Sequence, residues 1–501
     1  MALASVFGLV AVACPSDGSP ESLPSEQPPP AGTIRIAYPE EPATLNPVTE
    51  RSPAARDILR AVLPSFFVVA PDLTYRLSLL AEDPEVRTEG DRMTVRFRIR
   101  EGALWSDGEP ITVDDVAFTW RVMTESALEV ADPQGFDHVV DVVEISPTEG
   151  ELVLSPPLAS WRDLFAAGRF VLPGHTVSEP AGVGEWDEGP PVGAGPFLLE
   201  RWERGRAVVL AADPTAAGPD PLAERIEVTF VPDPTTAIQL LEAGLLDAVA
   251  PMLGVSWSRR LAAVPGVRIS EAYGPDLMHL VMNAQTLESA DTRRRIAEAI
   301  DRHRFVDAVV NEEGREAHGV LSPEQTGSAS AWSEYGTGTA GLLAGQGELD
   351  LVYARGELIE FLARYVQAQL ERAGGDVELV PLEPDVFRGT FLPARRFDLA
   401  LVEVRSGPSP DLARYVEAPG GTPALTALQD PRLSSLIESV DRGDQGALAD
   451  AQERLAELVP VLPLFQPQAA VASTKGVVGL EANATVDGPL WNAAQWSKAV
   501  L

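Results

Sequence analysis

Three aspartates in the stretch "ALWSDGEPITVDDVAFTWRV" (103–122) have the residue type that general acid–base catalysis uses. Paired carboxylates perform such proton transfers in glycosidases. Asp107, however, begins an Asp-Gly turn, and Asp115 follows Thr112 by three residues, as in a helix-capping box. Asp114 lies in the first helical turn, where it complements the helix dipole. These positions predict structural roles, so glycosidase chemistry is not expected.

Two further patterns suggest cofactor or metal sites. Residues 336–341, "GTGTAG", have the glycine spacing of a dinucleotide-binding loop. Such a loop must follow a strand and open a helix, whereas here "SASAWSEY" precedes it and the strand-like "LDLVYA" follows. The chain has five histidines, His138, His175, His279, His303 and His318. Their spacing is not that of metal ligands, and no G-x-S-x-G nucleophile motif occurs. The sequence therefore predicts no metal, no cofactor and no enzyme.

Composition restricts the choice of partner. The 501 residues include 74 acidic and 39 basic residues, which gives a net charge of −35. Nucleic acid is not an expected partner, because phosphate binding requires a basic surface. The length allows two to four domains at roughly 150 residues each.

The N-terminal region predicts an anchored protein. The chain's one cysteine, Cys14, follows the apolar run "ALASVFGLVAVA" (2–13), which suits a signal peptide and is too short to span a bilayer. Cys14 resembles the lipobox cysteine of bacterial lipoproteins, although lipoboxes usually carry Leu at the position of Ala11. Residues 1–14 are thus a predicted lipoprotein signal, with an ordinary secretory signal as the alternative. The Pro- and Ser-rich residues 15–31 predict a flexible tether.

Helix and strand patterns alternate through the rest of the chain. Two alternating runs, 197–202 and 207–212, predict a hairpin around 203–206. The segment "RIEVTFVPDPTTAIQLLEAGLLDAV" reads as strand, helix and strand. "LDLVYA", "ELIEFLARYVQAQLERAGG", "DVELVPL" and "FDLALVEV" then follow as strand, helix, strand and strand. This alternation predicts the α/β class.

Several blocks, in this order, resemble the family 5 solute-binding proteins of ABC importers, which bind oligopeptides, dipeptides or nickel. They are "FRIREGALWSDGEPITVDDVAFTW", "VGAGPFLLERWERGRAVVLAADP", "VPDPTTAIQLLEAGLLDAV", "MNAQTLESADTRRRIAEAIDRHRFV", "LLAGQGELDLVYARGELIEFLARYVQAQLERAGGDVELV" and "LVPVLPLF". The similarity extends from about residue 32 to the C-terminus. It identifies the Asp-Gly turn of the first block as family scaffold.

The resemblance implies a two-lobed periplasmic-binding-protein fold of type II with an additional domain. Lobe I would comprise residues 32–48, 186–271 and 466–501, the additional domain residues 49–185, and lobe II residues 272–465. A peptide or similar small polar solute would be enclosed by hinge closure and delivered to a membrane permease by a monomeric, lipid-anchored protein. A ligand-sensing receptor on the same fold, without a transport role, is the alternative.

The resemblance also implies three ligand-contacting regions. The loop after the first strand offers Tyr38 and Glu40, with Glu41 beside them. The hinge region offers Tyr273 and His279. The loop after "FDLALVEV" offers Arg405 and, further along, Asp411.

The third region departs from the pattern of peptide-binding relatives. Those relatives often carry a Trp followed by an Asp that pairs with the peptide's amino group, whereas this chain reads Val-Arg-Ser-Gly-Pro at 404–408. Asp411 is the candidate substitute for that acid. Arg405 would instead favour a carboxylate or another acceptor. Trp491 and Trp496 either stack on ligand or pack in the core.

Overall fold

The structure is a computed structural model that describes residues 32–499, apart from residues 51, 126, 132, 134, 217, 253–256, 311–313, 337, 340 and 418–423. The predicted signal peptide, Cys14 and the tether lie outside the described residues. Within the described part, no helix is long and apolar enough to cross a membrane.

The strands of the described part, in chain order, are β1 (Thr33–Tyr38), β2 (Phe67–Val69), β3 (Tyr75–Leu77), β4 (Glu85–Glu89), β5 (Arg92–Arg98), β6 (Val139–Ser146), β7 (Glu149–Leu154), β8 (Phe197–Glu203), β9 (Ala207–Ala212), β10 (Arg225–Phe230), β11 (Ala248–Met252), β12 (Val267–Tyr273), β13 (Leu277–Met282), β14 (Gly314–Glu316), β15 (Glu348–Ala354), β16 (Asp376–Leu382), β17 (Leu399–Val404), β18 (Val461–Thr474), β19 (Val477–Val478) and β20 (Ser497–Lys498).

The α-helices of the same part are α1 (Pro53–Val62), α2 (Val113–Glu125), α3 (Pro234–Glu242), α4 (Trp257–Ala262), α5 (Ala290–Ala299), α6 (Arg302–Phe305), α7 (Glu357–Arg372), α8 (Pro384–Val386), α9 (Leu392–Ala394), α10 (Pro431–Asp441) and α11 (Gln445–Leu458). Helices and strands alternate along the chain, as the sequence predicts for the α/β class.

One long strand, β18, joins two halves of a large sheet. Its first part pairs with β13 and β14, and its second part pairs with β11 and β12. Strands β1, β10, β9 and β8 extend the sheet on one side, whereas β17, β15 and β16 extend it on the other. We call the half with β1 and β8–β12 lobe I, and the half with β13–β17 lobe II. The residue boundaries predicted from the sequence stay predictions.

The backbone crosses between the halves at two places. Strand β12 ends at Tyr273 in lobe I and β13 begins at Leu277 in lobe II. Strand β18 makes the second crossing, because Gln466 pairs with β14 and Gln468 pairs with β12. Two short crossings of this kind leave few backbone dihedrals between the halves, which is the arrangement of a hinge.

A smaller sheet in the order β4-β5-β7-β6 forms a third region together with α2. We call residues 63–194 the small-sheet region, since they supply most of one separate hydrophobic cluster. The predicted turn before α2 is present, with Gly108 at φ +93°. The Asp115 carboxylate accepts hydrogen bonds from the backbone amides of Thr112 (2.9 Å) and Gly174 (3.0 Å) and from the Trp105 indole (3.3 Å). Asp115 is therefore part of the scaffold.

Candidate functional site

The end of β1 faces a buried carboxylate on α1. Tyr38 is the last residue of β1, and its hydroxyl donates to Asp57 Oδ2 at 3.1 Å. Helix α1 begins at Pro53 after the cap Ser52, and its apolar spacing turns Asp57 inward, where the residue is 4% exposed. Gly488 allows this packing, because a Cβ there would lie 2.0 Å from Asp57 Oδ1.

The environment of Asp57 favours its neutral form. Burial raises the pKa of Asp57 to about 7, against the opposing effects of Arg56, the Tyr38 hydroxyl and Arg405, and with a further increase from Asp487. Burial also raises the pKa of Tyr38, followed by the Asp57 charge. The Tyr38 hydroxyl thus remains a proton donor at neutral pH.

Lobe II contributes one positive and one negative side chain, those of Arg405 and Glu403. Arg405 follows β17, and its Nη2 atom lies 3.6 Å from Glu403 Oε2. Burial lowers the pKa of Arg405, but the charges of Glu403, Asp276 and Asp57 outweigh this and raise it. The guanidinium therefore lies within the electrostatic field of carboxylates from lobe I, from the hinge crossing and from lobe II.

Asp276 lies at the first crossing. It is half-buried, and its carboxylate accepts a 2.9 Å hydrogen bond from the Ser406 amide. Burial and, next, the Glu403 charge raise its pKa to about 7, against the Ser406 hydrogen bond and the charges of Arg405 and Arg56. We call Tyr38, Asp57, Asp276, Glu403 and Arg405 the cleft cluster.

Two members of the cleft cluster are accessible to solutes, whereas Tyr38 and Asp57 are buried. The side chains of Arg405 and Glu403 are 38% and 39% exposed. Charged groups that meet from two sheet halves, with accessible donors and acceptors, can bind a small polar molecule. Two surface depressions, of about 260 and 360 Å³, lie elsewhere and are lined by residues such as Arg87 and Arg96, and Gln285 and Gln429, respectively.

The hinge crossings are tied together by polar side chains. The Gln466 amide donates to the Gly274 carbonyl and, at 2.7 Å, to Glu324. Its oxygen accepts from Arg315 at 2.6 Å, and Arg315 also pairs with Glu324. The Arg315 guanidinium lies 4.3 Å from the centre of the Tyr273 ring. The predicted site residue Tyr273 is thus part of the hinge packing.

The other predicted site residues are spread around the cluster. Glu40 is exposed on its loop. Glu41 binds the β8–β9 turn by accepting from Trp202 Nε1 (2.9 Å) and the Gly205 amide. Asp411 accepts two hydrogen bonds from Arg414, at 3.0 and 2.5 Å. Of the predicted residues, Tyr38 donates to Asp57, and the Arg405 charge lowers the pKa of the same carboxylate.

His279 lies fully buried on β13. Neither ring nitrogen reaches hydrogen-bond geometry with a described residue, and the ring centre lies 5.8 Å from that of Tyr415. Burial lowers the pKa of His279 to about 3; Arg414 acts in the same direction, and the Leu277 backbone opposes it. The imidazole is therefore neutral.

Three members of the cluster, Asp57, Asp276 and Glu403, were not predicted from the sequence. One signal for Asp57 is available: "PAARDILRAV" places this acid among the apolar residues of an amphipathic helix. Of the predicted tryptophans, Trp496 is fully buried and donates to Asn492 at 2.8 Å, whereas Trp491 stacks against Arg76 at 5.0 Å.

The structure also accounts for the glycine-rich loop at 336–341. Gly336 has φ +81°, and a Cβ there would lie 2.4 Å from Arg302 Nε. Gly338 packs in the same way on Asp301. Gly336 and Gly338 thus serve close packing. Among the described residues, no group of three or more His, Cys, Asp or Glu side chains is arranged to hold a metal ion.

Comparison with solved structures identifies the fold. The chain is similar to the periplasmic EDTA-binding protein EppA, with TM-score 0.83 and 21% identity over 94% of this chain and 97% of the other. It is also similar to the oligopeptide-binding protein AppA from Bacillus subtilis in complex with a nonapeptide, with TM-score 0.78 and 18% identity over 94% and 100%. The predicted two-lobed α/β fold is confirmed.

Sequence comparison gives the family. The chain is 26% identical over 283 residues to the oligopeptide-binding protein OppA of Mycobacterium tuberculosis (strain H37Rv), over 54% of this chain and 47% of that protein. The chain thus spans about half the length of the curated relatives it matches. Residues 78–422, more than half of the chain, match the sequence profile of the "bacterial extracellular solute-binding proteins, family 5 Middle". The resemblance noted from the sequence is confirmed, and the chain belongs to the family 5 bacterial extracellular solute-binding proteins.

Proposed function

We propose that the protein captures a peptide or similar small polar solute between its two lobes and delivers it unchanged to the permease of an ABC importer. The observation that carries the proposal is the cleft cluster, because its charges come from both sides of the hinge. A solute that contacts Arg405 and an exposed residue of the β1 loop such as Glu40 at once would favour the closed arrangement over an open one. A ligand shifts such an equilibrium only through contacts that differ between the two states.

Arg405 is the proposed anchor for an acceptor group on the solute. Its guanidinium can donate two parallel hydrogen bonds to a carboxylate. Asp276 and Glu403 would accept from donor groups of the same solute, while the buried Asp57, bonded to Tyr38, would act on Arg405 through its charge. A solute that carries both donors and acceptors, such as a peptide, suits this arrangement.

The remaining predicted residues take proposed roles around the anchor. Glu40 would contact solute at the edge of the cleft, and Asp411 would hold the Arg405 loop through Arg414, which donates to the Arg405 carbonyl at 2.7 Å. Tyr273 and His279 would line the hinge side. Binding and release involve no covalent step, so we propose no catalytic residue.

The relatives support capture of solutes of differing chemistry on this fold. EppA is named for EDTA, and AppA was solved with a nonapeptide. For this chain we propose a monomeric protein outside the cytoplasmic membrane, held to its outer face by a lipid on Cys14. Mass spectrometry of the membrane-associated protein tests the lipid directly, because acylation of Cys14 changes the mass of the N-terminal fragment.

A thermal-shift screen of the full chain against peptides, amino acids, sugars and metal chelates tests solute binding. A true ligand at 100 times its Kd stabilises the folded state by about 2.7 kcal/mol, so the melting temperature should rise and the solute should be recovered unaltered. No shift with any solute class would contradict the proposal.

Matched variants separate binding in the cleft from binding elsewhere. Arg405→Ala should strongly reduce the shift given by a hit compound. Arg442→Ala should retain it, because the Arg442 side chain is 53% exposed and pairs with the exposed Glu438 on α10. Solute uptake by cells that lack the protein then decides between transport and sensing, since a sensor would bind the solute without any loss of uptake on deletion.

A further inference from the structure

The small-sheet region contacts the same lobe II loop that carries Arg405. The Tyr75 hydroxyl, on β3, donates to Asp163 Oδ1 at 2.5 Å within the small-sheet region. The same hydroxyl lies 2.9 Å from Ser409 Oγ on the lobe II loop. One hydroxyl therefore links the two parts of the molecule.

The direction of the second hydrogen bond follows from proton counting. A tyrosine hydroxyl has one hydrogen, and here it is directed to the Asp163 carboxylate. Burial, followed by the Asp163 charge, raises the pKa of Tyr75 well above its ordinary value, so this hydrogen is retained. Ser409 must then donate to the Tyr75 oxygen.

The backbone next to Ser409 is shaped for this contact. A Cβ at Gly407 would lie 3.0 Å from Asp163 Oδ2, closer than side chains normally approach. On the lobe II side, Gln325 Nε2 donates to the Gly407 carbonyl at 3.0 Å. The loop therefore meets Asp163 through a residue without a side chain, while lobe II holds that residue from behind.

The acceptor side is also fixed. Asp163 lies in a short 3-10 segment, Trp161–Phe165, and its carbonyl accepts from Arg169 at 2.9 Å. The Arg162 guanidinium lies 4.6 Å from the Trp161 ring centre and 6.0 Å from that of Tyr75. Such a rigid acceptor loses little conformational entropy when the lobe II loop arrives.

We propose that Tyr75, Asp163 and Ser409 form a latch through which the small-sheet region holds lobe II in the closed position. The inference rests on the proposed function in one respect, namely that the lobes move. The latch contributes to closure without solute contact, so the small-sheet region takes part in the closing equilibrium. By lengthening the lifetime of the closed state, the latch would slow solute release.

Distance measurements between the small-sheet region and lobe II in the solute-free protein test the latch. Spin labels at Arg87→Cys in β4 and Arg364→Cys in α7, both on exposed side chains, report the separation of the two parts in a Cys14→Ser background. Loss of one hydrogen bond should lower the closed-to-open ratio about 2- to 10-fold. Ser409→Ala should therefore shift the distance distribution towards the open state, and Tyr75→Phe should do the same.

Tyr365→Phe is the matched control, because the Tyr365 hydroxyl donates at 2.9 Å to the Asp301 carbonyl within lobe II. This variant should leave the distribution unchanged. The double variant Tyr75→Phe/Ser409→Ala should open the protein no further than the more open single variant. If Ser409→Ala matches the wild type, or if the wild type is already fully open, the latch is overturned. Because the readout needs no solute, a failed solute screen would contradict the proposed function and leave this result intact.

Discussion

Two arginines show how differently one side-chain type is used in two regions of the molecule: Arg302 is buried in the core, and Arg405 is exposed at the cleft cluster. Arg302 has a fully buried side chain, and burial lowers its pKa to about 10. Its guanidinium donates at 2.6–3.0 Å to backbone carbonyls, those of Ala317, Pro463, Trp332 and Tyr335. Arg405 is 38% exposed, and its charged neighbours are carboxylates.

The difference teaches how a structural and a functional arginine can be told apart. The Nη donors of Arg302 are occupied by carbonyls that cannot move without breaking the fold, and its Nε atom lies 3.7 Å from Glu316 Oε1, so a solute gains nothing from this buried arginine. Arg405 faces titratable groups across a hinge, and a solute acceptor can join them. The same chemical group thus stabilises the fold in one place and, on the proposed function, binds solute in the other.

The largest expected effect comes from Arg302→Ala. Its removal leaves buried carbonyls without a donor, and each unsatisfied polar group costs about 1–3 kcal/mol. We expect the free energy of unfolding to fall by about 4 kcal/mol in urea titrations. Arg442→Ala, the exposed control, should change it by less than about 0.5 kcal/mol. Similar losses of stability from Arg302→Ala and Arg442→Ala would contradict the structural role of Arg302.

The acceptors around the two arginines also differ in titration. Carbonyls do not titrate near neutral pH, but the pKa of Asp57 is raised from 3.8 to about 7. Between pH 4 and pH 7 the folded chain therefore holds a proton on Asp57 that the unfolded chain has already released. This contribution to stability is complete below pH 4 and is lost as the pH rises through about 7.

Asp57→Asn tests this assignment. Between pH 5 and pH 8 the wild type should lose about 2 kcal/mol more stability than Asp57→Asn, since one pKa unit corresponds to about 1.4 kcal/mol. Chemical denaturation at several pH values measures the difference. The pKa of Asp276 is also raised, but Asp276 is present in both the wild type and Asp57→Asn and affects both stability profiles alike. Parallel pH profiles of the two proteins would therefore show that Asp57 is charged in the folded state.

Arg405→Ala should weaken solute binding with little effect on stability. A hydrogen bond to a charged group is worth about 1.5–3 kcal/mol, so a loss of about 2 kcal/mol would raise Kd about 30-fold in calorimetric titrations. Arg405→Lys retains the charge without the planar fork and should recover part of the affinity. If Arg405→Ala bound the solute with wild-type affinity, the solute site would have to lie outside the cleft cluster.

Much of the fold follows from local pattern. The hairpin predicted around 203–206 is present as β8 and β9, and the α2 helix begins next to the predicted cap, Thr112. In these cases the alternating or 3.6-residue period and the turn chemistry lie within one short segment. Neighbouring residues alone therefore determine the outcome.

The cleft cluster could be predicted only in part, because its members are distant in sequence. Periodicity shows that Asp57 lies on a helix face, but not that Arg405 approaches the same region from 348 positions later along the chain. The division of β18 between two sheet halves is invisible in "LVPVLPLF", since pairing depends on which other strands reach it. Residue types alone therefore did not reveal Asp57, Asp276 or Glu403.

The smallest expected effects come from Tyr38→Phe and Tyr365→Phe, each of which removes one tyrosine hydroxyl. The Tyr38 hydroxyl donates to the Asp57 carboxylate, whereas the Tyr365 hydroxyl donates to a backbone carbonyl. Each phenylalanine variant should cost about 1 kcal/mol of stability. The Tyr38 hydroxyl favours the charged form of Asp57, so the cost of Tyr38→Phe should be greater at pH 8 than at pH 5. The cost of Tyr365→Phe should be equal at both values, because a carbonyl carries no titrating charge. Equal costs for Tyr38→Phe at the two pH values would mean that its hydroxyl does not depend on the Asp57 charge, and Arg56 would then be the main group that stabilises this carboxylate.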